Sequence, residues 1–579
     1  MKKWLHENKY YLIIFLISII ICGYIFGGEW YYGHDIAPHI ARTAGVLISI
    51  ADGQIIPTII PNFCNSFGYS WNLFYGPLFA YLAAFLAFAL NNFFMGIKIA
   101  MFLTVFLSGI TMFNFINYVS KNKKLAFIVS VIYICAPYRL IEIYTRAAIG
   151  EMMAFIFFPI LFQGLYNLFN EVEKRKSYLI CIGLVGTILS HNISAIMIGV
   201  GMMLYILVNI DKVFKNIKIF KILCINAIFV ILISGFFVFP LIQSKMATDY
   251  KMLTESRFKV KNHGATWKEL LTYKVFNGGS SISIDLNDPK EVLTGKQMNH
   301  SIGIFIIIPL AFIPFVLVKI PKKQRRNYIF LCIIGIISII LCTQYFPWDK
   351  MPKIFDNILQ FPWRMLMMVV TTLSIVAGIN VYILLKGKNI YIVLFVLLIL
   401  VNIMNLLVPE KKLSYSAYDK YFENDTIYLG KLSSSATANF DYLPMKAVQN
   451  SRYLVERTHD PIVLEGVAEV SDISKKGTKM EFEVKNAQKN TKIELPYIYY
   501  IGYNIKIVGL DGQEEKLKSE ESDNGFVCFN LNKITQGTVY VKYTGTILMN
   551  VSAIVSIISL IGFIIIIKVS KKNEQNTFN

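Results

Sequence analysis

The sequence predicts a polytopic α-helical membrane protein of about twelve spans plus an interfacial helix, with a C-terminal extracytoplasmic β-rich domain. Three observations carry this. Hydrophobic residues make up 55% of the 579 and charged residues only 16%, with a mean hydropathy of +0.52; a soluble domain carries roughly 25% charged residues. Apolar runs long enough to cross a bilayer recur along the chain, separated by short basic clusters. One late stretch, 409–546, breaks this rhythm and alternates apolar with polar residues instead. The 57 Lys and Arg outnumber the 37 Asp and Glu, a net charge of +20. Their placement between apolar runs is the positive-inside signature and not a phosphate-tracking groove, so no nucleic-acid partner is expected.

The first span is 10–27, with Lys2, Lys3 and Lys9 before it on the cytoplasmic side. It starts like a signal peptide, but no small-residue cleavage site follows, so it reads as an uncleaved anchor. Later clusters are Lys121/Lys123/Lys124, Lys174/Arg175/Lys176, Lys212/Lys215/Lys218, Lys319 to Arg326, Lys386/Lys388 and Lys568/Lys571/Lys572. Placing each inside pairs the runs 125–137 with 152–170, 178–190 with 193–210, 220–242 with 302–320, 328–346 with 365–385, and 390–408 with 547–567. Before Lys121 only one crossing fits, taken as 96–118. The run 74–90, opened by Tyr75-Gly76-Pro77, then becomes an interfacial or re-entrant helix. Both termini fall inside a multi-pass plasma-membrane protein. Segments 28–95, 138–151, 243–301 and 409–546 fall outside.

The chain thus divides into a membrane module, 1–408, an extracytoplasmic β-sandwich-like domain within 409–546, and a final span with a short tail, 547–579. Lys479-Met480-Glu481-Phe482-Glu483-Val484-Lys485 alternates strictly, as a half-buried strand does. Asn504–Val508 before Asp511-Gly512 reads as strand and turn, and Thr538–Tyr543 alternates again. The eight cysteines contain no CxxC pair and read mostly as small buried hydrophobes; a Cys64–Cys528 bridge stays open, since both fall outside.

Candidate chemistry sits in the outer segments. Glu29-Trp30-Tyr31-Tyr32-Gly33-His34-Asp35 runs on to His39 and Arg42. Asp35 reads either as the cap of a helix starting at Ile36 or as a functional carboxylate at the headgroup level. His34, Asp35 and His39 also suit a divalent cation, though no metal ligand set is assigned. In Pro137–Glu151, Glu142 and Arg146 form an i, i+4 pair with Arg139 on the same side. Ionisable groups at this depth are costly, which points to function over anchoring. His191 lies in a helix turn, Ser190-His191-Asn192. Arg364 follows Phe361-Pro362-Trp363 at a membrane boundary, as a snorkelling side chain or a phosphate-binding fork. Tyr497, Tyr499, Tyr500 and Tyr503 either stack on sugars or fill the sandwich core. GxxxxGK[ST], HExxH and GxSxG motifs are absent, which leaves ATP-driven pump, zinc protease and serine hydrolase readings without support.

These motifs resemble those of the GT-C superfamily of integral-membrane glycosyltransferases, and within it of bacterial YfhO-like proteins and membrane proteins labelled "6-pyruvoyl-tetrahydropterin synthase-related". The residues carrying the resemblance are Gly33-His34-Asp35, Tyr75-Gly76-Pro77-Leu78, Pro137-Tyr138-Arg139 to Gly150-Glu151, Leu189-Ser190-His191-Asn192, Phe361-Pro362-Trp363-Arg364, and Leu495-Pro496-Tyr497 to Gly502-Tyr503. The resemblance implies a GT-C-like bundle that moves a sugar, with inversion, from a polyprenyl-phosphate donor to a cell-envelope polymer, glycolipid or protein acceptor on the extracytoplasmic face. Asp35 matches the first-loop acidic position. Glu142, or alternatively Glu151, stands nearest the second. His34, His39, Arg139, Arg146, Glu151, His191 and Arg364 are the expected substrate-binding set. The first loop carries His-Asp where the family has an acidic pair, so metal dependence is not carried over. Two other readings remain open: a transporter or flippase of a lipid-linked saccharide, and a non-catalytic envelope assembly protein.

Overall fold

A computed structural model describes residues 2–27, 30–31, 33–170, 177–254, 259–271, 281–285, 288–294, 300–407, 412–413 and 440–578. The cluster Lys174/Arg175/Lys176, Glu29 and Tyr32 of the first loop, and most of 409–439 lie outside them.

Among the described residues, eight helices are long and apolar enough to cross a membrane, or up to nine if the bent pair Lys123–Ile134 and Pro137–Arg146 is one span. Tyr178–Ser190 and Asn192–Val208 are shorter apolar helices at two of the expected crossings. The expected span at 302–320 is two short helices, Ile304–Leu310 and Ile313–Leu317. Pro309 and Pro314 account for the break, because a proline removes a backbone donor and clashes with the preceding turn. The chain is therefore a multi-pass membrane protein, mostly helical. Some of its basic clusters meet other span ends: Lys124 donates to Gly387 O, Lys212 to Phe169 O, and Arg326 pairs with Asp211.

The run at 74–90 forms the helix Leu78–Leu90. Its 13 residues reach about 20 Å at 1.5 Å per residue, short of the roughly 30 Å hydrocarbon core. It packs on Phe93–Ser120 and on the helix Ile36–Ala51, which follows the first span.

The β-domain is two antiparallel sheets. Its strands are β1 (Ile462–Glu465), β2 (Glu469–Lys476), β3 (Lys479–Lys485), β4 (Lys492–Ile498), β5 (Tyr503–Gly509), β6 (Glu514–Leu517), β7 (Glu520–Glu521), β8 (Phe526–Asn530) and β9 (Gly537–Tyr543). One sheet has the order β6-β5-β9-β3-β2 and the other β7-β8-β4-β1. Met480, Phe482 and Val484 point inward from β3, as the alternation at 479–485 predicts, and meet Ile505, Ile507, Val539 and Val541. The same core continues into the membrane module through Phe63, Phe67, Tyr69, Trp71 and Phe74. Tyr497, Tyr500 and Tyr503 are buried in it, with Tyr497 and Tyr503 stacked at 5.0 Å and Tyr250 on Tyr500 at 6.0 Å. They are core residues and offer no sugar-stacking platform. Cys64 and Cys528 are both buried free thiols, so the bridge left open by the sequence is not formed.

Candidate functional site: a buried carboxylate–guanidinium knot beside Asp35

The segment after Ile134 does not continue as one helix. Pro137 starts a short helix, Pro137–Ile141, which passes into a π-helical turn, Glu142–Arg146. Ala147 then adopts φ +53°, and a new helix begins at Ile149. A left-handed non-glycine residue costs on the order of 1–3 kcal/mol and clusters at functional sites. Its consequence here is geometric. The reversal brings Glu151 back onto Arg146, which an unbroken helix would place on different faces.

Glu151 is the hub. Its Oε2 accepts from Arg146 Nη1 at 3.0 Å and Tyr138 OH at 3.0 Å; its Oε1 accepts from Arg146 Nη2 at 3.1 Å and Arg364 Nε at 3.1 Å. Arg146 also pairs with Glu142, as the i, i+4 spacing predicts. Glu142 Oε2 has no partner among the described residues. Arg364 is held by Leu359 O at 3.2 Å and Gln360 Oε1 at 2.6 Å, and Arg146 lies 4.3 Å over the Trp363 ring. His300 stacks on Trp363 at 5.0 Å. Burial, and then the nearby Arg146 charge, push its imidazole down to about 3.

The first loop docks on this knot through its backbone. His34 N–H donates to Thr145 O at 3.0 Å, and Asp35 N–H to Arg146 O at 2.7 Å. A helix starts at Ile36 as expected, but the Asp35 side chain makes no capping bond. Its carboxylate forms no hydrogen bond or ion pair with the described residues, and it is half-buried. Burial raises its pKa, while Arg146, His34 and Arg364 pull it back down. An unengaged carboxylate of raised basicity beside fixed guanidinium groups is chemically suited to take a proton.

Asp35, His39 and Arg42 follow at i, i+4 and i+7, one face of the helix. His39 packs against Tyr75 and Trp71, with ring separations of 5.7 and 6.5 Å, and burial next to Arg42 drives it down to about 3. It does not join His34 and Asp35. Among the described residues, no group of three His, Cys, Asp or Glu side chains is placed to hold a metal ion, so the divalent-cation reading finds no ligand set. Arg42 donates to Asn72 Oδ1 at 2.9 Å and to the carbonyls of Tyr75 and Gly76 at 2.7 and 2.8 Å. Tyr75 in turn reaches the first turn of the helix that starts at Ile149. A Cβ on Gly150 would lie 2.4 Å from its hydroxyl, so only glycine fits there.

The structure places Arg139, His191 and Glu142 differently from what their spacing suggests. Arg139 does not share the knot: it sits 4.0 Å over the Phe155 ring and, among the described residues, reaches only Ser108 Oγ, at 3.3 Å, with Nε and Nη1 unpartnered. The helix break after it removes the common face that straight-helix spacing assumed. His191 is an N-cap, its Nδ1 accepting from Ser194 N–H at 3.2 Å. Burial pushes it down to about 3, so it is neutral near pH 7. Its ring still lies 5.6 Å from Tyr75, against the same cluster. Glu142 yields the central place to Glu151. Sequence reasoning missed Arg42, Tyr138, Gln360 and His300 as site residues; Arg42 and Tyr138 lay inside the quoted motifs and were signalled by them.

Residues 73–258 match the family model described as "6-pyruvoyl-tetrahydropterin synthase related domain; membrane protein". That stretch contains Tyr75, the knot residues Glu142, Arg146 and Glu151, and His191, but neither Asp35 nor Arg364. The chain is also similar to a protein of Lactococcus lactis subsp. cremoris (strain MG1363) described as "Uncharacterized protein", with 25% identity over 599 residues, covering 97% of this chain and 95% of the relative.

Proposed function

We propose that the protein is an inverting membrane glycosyltransferase that takes a sugar from a polyprenyl-phosphate donor and passes it to a cell-envelope acceptor. The observation that carries this reading is the placement of Asp35. Its backbone is fixed to Arg146 O at 2.7 Å, while its carboxylate stays unengaged beside the Arg146–Glu151–Arg364 knot. In the reaction, the acceptor hydroxyl oxygen attacks the anomeric carbon as its proton passes to the Asp35 carboxylate. The bond from that carbon to the phosphate oxygen breaks, and the lipid phosphate leaves with the electron pair. Charge growing on that phosphate falls within reach of the guanidinium field of Arg146 and Arg364, which the two glutamates and Tyr138 hold in fixed orientation. This assigns the knot an orienting role, since Arg146 already serves Glu142 and Glu151, and Arg364 serves Glu151, Leu359 O and Gln360 Oε1.

That same saturation favours a second reading, a non-catalytic assembly protein in which the knot only ties 137–151 to 359–364. Surface-glycan composition separates the two. A deletion strain carrying Asp35→Asn should lack the sugar that the wild-type chain restores, with transfer reduced about 100- to 10,000-fold, the usual worth of a positioned general base. Full restoration by Asp35→Asn removes the glycosyltransferase reading.

A further inference from the structure

The helix Ile36–Ala51 is a connector with a fixed contact at each end. Asp35 precedes it and is bonded to the knot through Arg146 O. Asp52 follows it and is gripped by the β-domain: Thr478 Oγ1 donates to Asp52 Oδ2 at 2.5 Å, and Thr478 N–H to Asp52 Oδ1 at 3.2 Å. Thr478 and Gly477 form the turn between β2 and β3. Gly477 has φ +59° and lies so close that a Cβ there would sit 1.9 Å from Asp52 Oδ1. The two contacts are one rigid helix apart, about 24 Å at 1.5 Å per residue.

A second strap runs parallel to the first. Cys64, Asn65 and Ser66 hold three successive positive φ angles, 53°, 58° and 59°. The β-domain binds that turn residue by residue. His459 Nε2 pairs with Asn65 O at 2.8 Å, Lys475 Nζ donates to Ser66 O at 2.5 Å, and Ile498 N–H donates to Phe67 O at 2.9 Å. The turn leads to Trp71 and Asn72, and Asn72 is bonded to Arg42 on the same Ile36–Ala51 helix. Two independent routes from the β-domain therefore converge on the element that presents Asp35.

We propose that the β-domain is a positioning clamp for the proposed base, with Asp52 and Thr478 as positioning residues that hold Asp35 in register with Arg146 through the intervening helix. This rests on the glycosyltransferase reading only for what Asp35 does; the mechanical coupling stands on the contacts. The coupling accounts for a β-domain whose aromatic residues are spent on its own core and on the 63–75 strap.

The test reads register and transfer separately. Register is the rate of oxidative cross-linking, in membranes, of a His34→Cys/Thr145→Cys pair, whose backbones are hydrogen-bonded. It is built on Cys224→Ser, since Cys224 is the exposed cysteine among the eight. Transfer is scored as surface-glycan sugar in cells carrying native His34 and Thr145, with chain levels matched by immunoblot. Thr478→Val and Asp52→Asn should each lower cross-linking and transfer several-fold together, and Thr478→Ser, which keeps the hydroxyl, should restore both. Unchanged cross-linking in both variants overturns the clamp. So does unchanged transfer in both when Asp35→Asn abolishes it. If Asp35→Asn itself retains transfer, the glycosyltransferase reading fails, while the cross-linking rates still decide whether the β-domain sets the register.

Discussion

Two buried Arg–Glu networks, one in the β-domain and one at the membrane module, are built from the same groups and completed to different degrees. In the β-domain, Glu494 Oε1 accepts from Arg457 Nε at 3.0 Å and Tyr453 OH at 2.8 Å, and Oε2 from Ser522 Oγ at 2.6 Å and Asn524 Nδ2 at 3.2 Å. Arg457 uses its other donors on the carbonyls of Thr458, Asp460 and Glu494. Each side-chain nitrogen of Arg457 and each carboxylate oxygen of Glu494 has at least one partner among the described residues. Among the described residues, the membrane knot leaves Glu142 Oε2 without a partner, and beside it Arg139 Nε and Nη1 and the Asp35 carboxylate. A finished network specifies a fold, because a buried polar group costs free energy unless it is satisfied. An unfinished one keeps capacity for something that is not protein.

The difference is open to direct attack. Glu494→Gln strands the Arg457 charge inside the sandwich and should destabilise the β-domain by about 3–5 kcal/mol, whereas Arg457→Met with Glu494→Leu should recover most of that. Thermal aggregation of the detergent-solubilised chain reports both. Glu151→Gln should cost less, about 1–3 kcal/mol, because Glu142 and Asp35 remain to balance Arg146 and Arg364. It should still depress sugar transfer at matched chain levels. An equal cost at both sites would erase the contrast.

Lys475 sharpens the comparison from the β-domain side. Its amine lies 5.0 Å from the Tyr497 ring centroid and 5.6 Å from that of Phe67, with Arg457 nearby, and burial drives its pKa down to about 7. The folded state therefore binds fewer protons than the unfolded state between pH 7 and the ordinary lysine value. Stability should rise with pH across that window, at no more than about 1.4 kcal/mol per unit, and level off below it. Lys475→Met should flatten the dependence of melting temperature on pH between 7 and 9. The smallest effect expected is at Tyr138, one donor among several on Glu151: Tyr138→Phe should cost about 1 kcal/mol and leave most transfer intact.

What the sequence made legible follows from period and charge. Strand β3 was readable because its burial alternates at every residue, and the spans because apolar runs and basic clusters keep one rhythm. Glu142 and Arg146 paired as predicted because i, i+4 spacing survives a single turn. Arg139 was misjudged because the helix after it turns π over Glu142–Arg146, and Glu151 because the chain reverses at the left-handed Ala147; no residue spacing announces either. Arg364 meets Glu151 across 213 positions, and the Asp52–Thr478 contact spans 426. Contacts that distant are set by tertiary packing and carry no local pattern.

The proposed chemistry stands on one carboxylate, Asp35, held beside the knot but not consumed by it. Surface-glycan analysis of a deletion strain rescued with the wild-type chain, with Asp35→Asn, or with Asp35→Glu tests it most directly. The prediction is a sugar present with wild type, missing with Asp35→Asn at equal chain abundance, and partly restored with Asp35→Glu. Identical glycans from wild type and Asp35→Asn would contradict it.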